Sequence, residues 1–321
     1  MLNYLLKRIG FLAITLLITS LIVFVVAQVI PGDVCRVILG REAGEAALES
    51  CRVDLGLSDE GGNAIPALDR YLSWLRDFAQ GEWGTSYATG ESIRPWVLGR
   101  LRNSFQLGGL ALAFSVPLAI LLGVVAGLNE GKWVDTLINV GSLSLVGLPE
   151  FITGILLINL AAFRFELLPA NSSIPAVASF REALPSLILP ALTASLVLLA
   201  YIARLTRTGV IQELKKDYIR TAELKGLPRR VVVFKHLLRN ALLPTITVIA
   251  LSIGWLISGL VVIENVFNYP GLGRLMIFAV DRRDLPTLQA CVMVSVVGFA
   301  LANLAADLLY AALNPRIRLG G

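Results

Sequence analysis

The feature that most constrains this chain is a set of six long runs almost free of charge. They are Ile9–Ile30, Ser104–Leu128, Thr136–Phe163 with Glu150 as the one interruption, Ala183–Ala203, Asn240–Ile263 and Leu285–Ala306. A hydrocarbon core about 30 Å thick is crossed by roughly 20 apolar residues in a helix, so each run is long enough for one crossing. Hydrophobic residues make up 56% of the chain and charged residues 16%, which leaves little apolar sequence for a water-soluble core. An all-α membrane protein with six transmembrane helices is therefore expected.

The first run follows Lys7 and Arg8 and could open a secretory signal. It is longer than the roughly 7–15 apolar residues of a signal, and no convincing small-residue cleavage site follows, so it is expected to stay as a helix. Basic residues set the orientation, because loops rich in Lys and Arg remain in the cytoplasm. Residues 204–239 carry ten basic and three acidic side chains, whereas residues 31–102 carry eight basic and eleven acidic ones. The first loop is expected inside and the second outside. Six crossings then put both termini in the cytoplasm, with Arg316 and Arg318 in the tail. The formal charge of +5 is thus spent in a few loops, and nucleic acid is not an expected partner.

The expected divisions are a first helix over 1–30, an external region over 31–103, a five-helix core over 104–311 and a cytoplasmic tail over 312–321. In the external region Leu68, Leu72, Trp74, Leu75 and Phe78 recur at near-helical spacing, predicting one amphipathic helix that Gly81, Gly84 and Gly90 then break. Cys35 and Cys51 lie in the same region, where an oxidising compartment would let them pair. No cysteine pair has CxxC spacing and His236 is the single histidine, so no metal site is expected. Prolines 117, 149, 185, 190, 244 and 286 fall in or beside the runs and predict kinked helices.

Residues 204–240 form far more than a minimal connector between two membrane helices. Helix-forming residues run from Gln212 to Lys225, and Lys225-Gly226-Leu227-Pro228 is a stop signal. A second helical stretch, roughly Pro228 to Asn240, leads into the fifth run. Such a basic helix-turn-helix can lodge in a groove on a cytoplasmic partner and pass that partner's movement to the attached helices.

Asp217-Tyr218-Ile219-Arg220-Thr221-Ala222-Glu223-Leu224-Lys225-Gly226-Leu227 resembles the coupling loop of ABC importer permeases, in the D-Y-x-R-T-A-x-x-K-G-L form of the dipeptide/oligopeptide/nickel branch. His236 to Pro244 resembles that branch's H-x-x-x-N-A-L-L-P. The likeness extends to Tyr4-Leu5-Leu6-Lys7-Arg8, Ile30-Pro31-Gly32-Asp33, Gly81-Glu82-Trp83-Gly84-Thr85-Ser86, the stretch from Glu264 to Gly273 and Asn314-Pro315-Arg316-Ile317-Arg318. Cys35, Cys51 and Gly61-Gly62-Asn63 depart from the pattern, as does Asn314 where an Asp is usual.

The resemblance implies a type I importer (MetI-like) permease fold in the bacterial cytoplasmic (inner) membrane, with an external loop element after the first helix. It implies a heterodimer with a homologous second permease, two ABC ATPase subunits and an extracytoplasmic solute-binding protein. Asp217, Tyr218, Arg220, Thr221, Ala222, Glu223, Lys225, Gly226 and Leu227 would dock an ATPase, with Ala222 fitting the ATPase groove and Gly226 allowing the turn. ATP and Mg would be bound by those partners, since no G-x-x-x-x-G-K-[ST] stretch occurs here. This chain is expected to bind no cofactor and to catalyse no reaction.

Glu150 is the one acid inside the first five runs and is expected to point inward, either to a polar pathway or to the end of a broken helix. An ion-coupled carrier would need more such groups or an inverted repeat, and neither is evident. A membrane-embedded hydrolase lacks a nucleophile with a base. The solutes implied are di- or oligopeptides, with nickel chelates, glutathione and opines as alternatives.

Overall fold

The computed structural model describes residues 2–29, 34–40, 42–59, 61, 63–173 and 180–313. Ile30 to Asp33, Gly62 and the motif from Asn314 to Arg318, with Arg316 and Arg318, lie outside them. The described residues are overwhelmingly helical. The helices are α1 (Leu2–Val29), α2 (Val34–Leu39), α3 (Glu45–Asp54), α4 (Ala67–Gln80), α5 (Ile93–Leu128), α6 (Trp133–Gly147), α7 (Glu150–Leu157), α8 (Phe180–Leu214) and α9 (Asp217–Leu224). There follow α10 (Arg229–Val231), α11 (Leu238–Ala241), α12 (Leu243–Gly259), α13 (Val261–Val266), α14 (Leu272–Asp281) and α15 (Leu285–Leu313). Wider π-helical turns continue α7 over Ile158–Arg164 and join α10 to α11 over Val232–Leu237.

Segments of α1, α5, α8 and α15 are long and apolar enough to cross a membrane, and two bent helix pairs raise the number to six. The third apolar run is one such pair and not one straight helix. Its two parts meet at 103°. Leu148 is extended (φ −91°, ψ 130°) because the residue before a proline is pushed out of the α region, and Pro149 has no N–H to continue the ladder. The fifth run bends by 49° where α11 gives way to α12, with Pro244 in the first turn of the new helix.

Several boundaries differ from those expected. Helix α5 begins at Ile93, well inside the stretch 31–103 assigned to a loop, and α8 continues to Leu214, so that residues 204–214 extend the fourth membrane helix. The chain divides into two compact units, Met1–Arg102 with Leu272–Val297, and Asn103–Gly271 with Gly298–Gly321.

In the first unit, Ile93 and Val97 of α5 bury against Leu272 and Leu275 of α14 and Ala290, Cys291 and Val294 of α15. The helix expected from the Leu68–Phe78 spacing is α4, ended by Gly81 at φ 86°. Its inward face is aromatic: Trp74 lies 6.0 Å from Phe24 and 5.8 Å from Phe78, which stacks at 5.0 Å on Trp83. Tyr71 meets Phe24 at 5.4 Å and shares a 2.8 Å hydrogen bond with Ser20. Leu68 and Leu72 of the predicted stripe are instead exposed. A disulfide joins Cys35 to Cys51, with Cα atoms 5.8 Å apart, and clips α2 to α3.

Asp284, fully buried, precedes α15 and accepts from Ser86 Oγ, from Tyr87 N at 3.1 Å and from Thr287 Oγ1 at 2.8 Å. It caps the helix and anchors the loop that follows α4. Asp284→Ala strands three donors, two of them on buried residues, and is expected to destabilise the protein by about 2–4 kcal/mol, read as a lower melting temperature in detergent. An unchanged melting temperature would refute the anchoring role.

In the second unit the core is built from small residues, because lipid gives apolar side chains little reason to leave it and close packing must hold helices together. Ala191, Thr193, Ala194, Ser195, Ala200 and Ala203 of α8 are all buried. Ser195 Oγ donates to Ala111 O of α5 at 3.0 Å, and the hydroxyls of Thr206 and Thr245 meet at 3.1 Å. A Cβ on Gly123 would fall 2.5 Å from Ala203 O, and one on Gly209 would strike Ala241 O, so both glycines permit backbone contact that no other residue allows.

Candidate functional site

The hairpin that the sequence singles out is built outward from the end of α8. After Lys215 and Lys216 the chain turns into α9, whose first turn carries Asp217, an acid at the end of the helix that favours negative charge. The helix ends in a Schellman motif: Gly226 N donates to Glu223 O at 2.9 Å and Leu227 N to Ala222 O at 3.4 Å. Gly226 stands at φ 74°, a conformation that costs a side-chain-bearing residue about 1 kcal/mol or more, and nothing lies near the place its Cβ would occupy. Pro228 follows and starts α10.

One face of α9 is glued to its own chain. Ile219 and Ala222 are 1% and 6% exposed and pack with Val210 of α8 and with Val232, Leu237 and Ala241. Tyr218 ties the hairpin's two arms: its hydroxyl donates to Glu213 Oε2 at 2.5 Å and accepts from Asn240 Nδ2 at 3.1 Å. Burial, with the Glu213 carboxylate adding to it, pushes the phenol above its ordinary range, so it stays a neutral donor at physiological pH. Thr221 bonds back to Asp217 O at 2.8 Å.

Ala222 was expected to fit a partner's groove. It points into this chain instead, because Val210, Leu237 and Ala241 offer an apolar seat at helical spacing from Ile219. The outward face carries Asp217, Arg220, Thr221, Glu223 and Lys225 with two leucines, Leu224 at 81% exposure and Leu227 at 37%. Leu224 was not among the residues singled out from sequence. The signal for it was its place two residues beyond Ala222, on the opposite side of the helix.

Beside the hairpin, α6 and α8 are joined by a part-buried ion pair that sequence reasoning missed. Arg207 donates from Nε to Asp135 Oδ1 at 2.5 Å and from Nη2 to Asp135 Oδ2 at 2.7 Å. Asn139 Nδ2 and Gly131 N complete the carboxylate's partners at 2.7 and 3.0 Å. Lys215, at the root of the hairpin, reaches Glu130 at 3.4 Å. The α5–α6 turn, α8 and the hairpin root therefore form one continuous polar track.

Glu150 is the first residue of α7, half-buried, beyond the Pro149 break. The N-terminal end of a helix favours an acid there. Helix α7 packs tightly through Gly154, where a Cβ would lie 3.1 Å from Phe267 and 3.5 Å from Thr193. The stretch from Glu264 to Gly271 forms a separate knot. Ser104 Oγ donates to the buried Glu264 at 2.5 Å, Tyr269 OH donates to Asn103 O at 2.8 Å, and Asn103 Nδ2 donates to Pro270 O at 2.8 Å. A Cβ on Gly271 would collide with the Glu264 carboxylate, which accounts for glycine at that turn. Cys291 and His236 enter no cluster of metal-ligating side chains among the described residues.

Comparison with known proteins identifies the family of the chain. Residues 119–319 match the family model for a binding-protein-dependent transport system inner membrane component, and residues 1–105 match that for the N-terminal part of such a membrane component. The chain is 36% identical over 318 residues to the glutathione transport system permease protein GsiC of Pectobacterium atrosepticum, covering 99% of each. It is 35% identical, with the same coverage, to the protein of that name from Escherichia coli strain K12. In fold it resembles a crystal structure of an amino acid ABC transporter, with a TM-score of 0.50 at 16% identity over 68% of this chain and 94% of that one. The chain belongs to the binding-protein-dependent transport system inner membrane components and is a permease subunit of an ABC importer, a component without an ATPase site of its own.

Proposed function

We propose that this permease moves glutathione or a peptide of similar size, delivered by an extracytoplasmic binding protein, and that residues 215–241 are the handle through which ATPase subunits drive it. Both termini and the hairpin lie in the cytoplasm, as the basic residues of 204–239 favour. The partners are a homologous second permease and two ATPases that bind ATP and Mg. The observation that carries the docking reading is the two-sidedness of α9. Ile219 and Ala222 anchor it within the chain, while Leu224 and Leu227 face outward amid Arg220, Glu223 and Lys225, a small apolar patch ringed by charge. Movement of a partner clamped on that patch passes through Tyr218 to Asn240, just before α12, and through Lys215 to Glu130 in the α5–α6 turn.

The solute reading leans on the relatives named for glutathione transport and on the peptide-branch form of the hairpin. Glu150, at the start of a broken helix, is the chain's candidate polar group on the pathway. The test is uptake by vesicles that hold both permeases and the ATPases, with the binding protein outside. Uptake of glutathione or a dipeptide is expected only with ATP inside, and it should persist when ion gradients are collapsed. Uptake driven by a gradient without ATP would overturn the reading.

A further inference from the structure

We propose that the open stripe of α8 is a water-facing wall of the solute's path, on which Arg204 seats a carboxylate of the solute. The inference rests on the peptide-class solute proposed above and adds the group within this chain that holds it. Most of the apolar span of α8 is buried. Val197, Tyr201, Arg204 and Thr208 follow one another at helical spacing, which puts them on one face. That face is left open: Tyr201 is 58% exposed, and Arg204 and Thr208 are exposed as well.

A cavity of ≈ 360 Å³ opens on the stripe, inside the range of about 300–1,000 Å³ typical of small-molecule sites. Helix α6 contributes Val146 to its lining and α12 contributes Leu251 and Ser252, while Val197 and Tyr201 come from the stripe itself. An apolar body suits that lining, with its polar end toward Arg204. Lipid does not suit this face. The exposed residues of α5 between Ser104 and Leu128, Leu118 and Leu121 among them, carry no polar side chain. The α8 stripe instead sets a phenol, a guanidinium and a hydroxyl in line, and ionisable groups beside a membrane span face protein or water.

Two arginines three residues apart on α8 have different surroundings. Arg207 grips Asp135 with both prongs of its fork. Among the described residues no acceptor meets the Arg204 guanidinium, and none bonds the Tyr201 hydroxyl. Thr208 Oγ1 donates to Arg204 O at 3.0 Å, which leaves the side chain of Arg204 free to reach outward. A guanidinium matches a carboxylate with two parallel hydrogen bonds, and the phenol can add a third. The stripe carries no acid, so it favours an anion over a cation. Exposed Gln212 continues it toward the hairpin, which on the orientation proposed above is the cytoplasmic side. A lipid phosphate is also an oxyanion that a snorkelling arginine could reach, and water access tells the two apart.

The test labels single introduced cysteines in the full complex of permeases and ATPases in nanodiscs. Cys35 and Cys51 are joined and Cys291 is buried, so the chain's own thiols compete little. Tyr201→Cys, Thr208→Cys and a control on the apolar surface of α5, Leu121→Cys, meet an anionic, membrane-impermeant thiosulfonate and its cationic counterpart. Labelling of this chain is read by mass spectrometry. Both reagents are expected to label the two stripe positions about tenfold or more faster than the control, because only a thiol in water ionises to the reactive thiolate. Arg204→Gln added to Tyr201→Cys should lower the anionic-to-cationic rate ratio about fivefold or more, and Arg204→Lys, which keeps the charge, should preserve it. Arg204→Gln alone should cut ATP-driven uptake about tenfold while its ATPases still co-purify. The labelling needs no transported solute, so the expected labelling in a wild type that takes up neither glutathione nor dipeptide would uphold the anion wall and reject the peptide-class solute. If Tyr201→Cys resists both reagents as the control does, the stripe faces lipid or the second permease; if the rate ratio or uptake ignores Arg204→Gln, Arg204 seats no carboxylate. Either result overturns the proposal.

Discussion

Arg207→Ala is expected to be among the most damaging single changes in this protein, lowering its stability by about 3 kcal/mol and abolishing ATP-driven uptake. Asp135 keeps 5% of its side chain exposed and Arg207 26%, so removing the guanidinium strands a carboxylate at depth, whereas a surface pair would forfeit at most about 1 kcal/mol. The bond from Asn139 and the amide of Gly131 remain, which holds the loss near the lower end of the range for a broken buried pair. Two controls separate charge from packing. Arg207→Lys keeps the charge but loses the two-pronged geometry and should recover only part of the loss. The double variant Asp135→Asn/Arg207→Gln removes both charges together and should be more stable than Arg207→Ala alone. Thermal unfolding in detergent measures all three; if the double variant is no more stable than Arg207→Ala, the ion pair is not what locks α6 to α8.

Much of this architecture was legible in the sequence, and the parts that were not share a cause. Helix existence followed from uncharged length, and the break at Pro149 could be read from the residue that causes it. The end of α8 could not, because Arg204–Leu214 is a charged helix whose continuation depends on Gly209 meeting the backbone of Ala241. Nothing local reports that contact. The same holds for Asp135 and Arg207, which lie 72 residues apart and look, in one dimension, like ordinary charges at the ends of apolar runs. The aromatic face of α4 was hidden for a subtler reason. Leu68 and Leu72 fit a helical stripe as well as Tyr71 and Trp74 do, and only Phe24 on another helix decides which stripe turns inward.

Helix α9 shows the limit most sharply, and it yields the prediction that best separates structure from docking. Its sequence offers two apolar faces, Ile219 with Ala222 and Leu224 with Leu227, and the resemblance assigns Ala222 of the first to the partner's groove. In the structure the first pair is spent on the chain's own core, so substitution at the two positions should fail in different ways. Ala222→Trp forces a large ring against Val210 and Leu237 and is expected to cost about 2–3 kcal/mol or more, seen as poor expression and a lowered melting temperature before any partner is present. Leu224→Glu alters a side chain that is 81% exposed, so the isolated permease should melt within about 0.5 kcal/mol of the wild type. With ATPases added, the order reverses. A carboxylate in place of an apolar anchor at the centre of a contact should weaken attachment by about 10- to 100-fold, the usual effect of losing 1–3 kcal/mol at a hot spot. Co-purification of ATPases with each variant, set beside its melting curve, tests this directly. Should Leu224→Glu keep its ATPases and its uptake, α9 would be a structural clamp within the permease, and the motor would have to attach elsewhere.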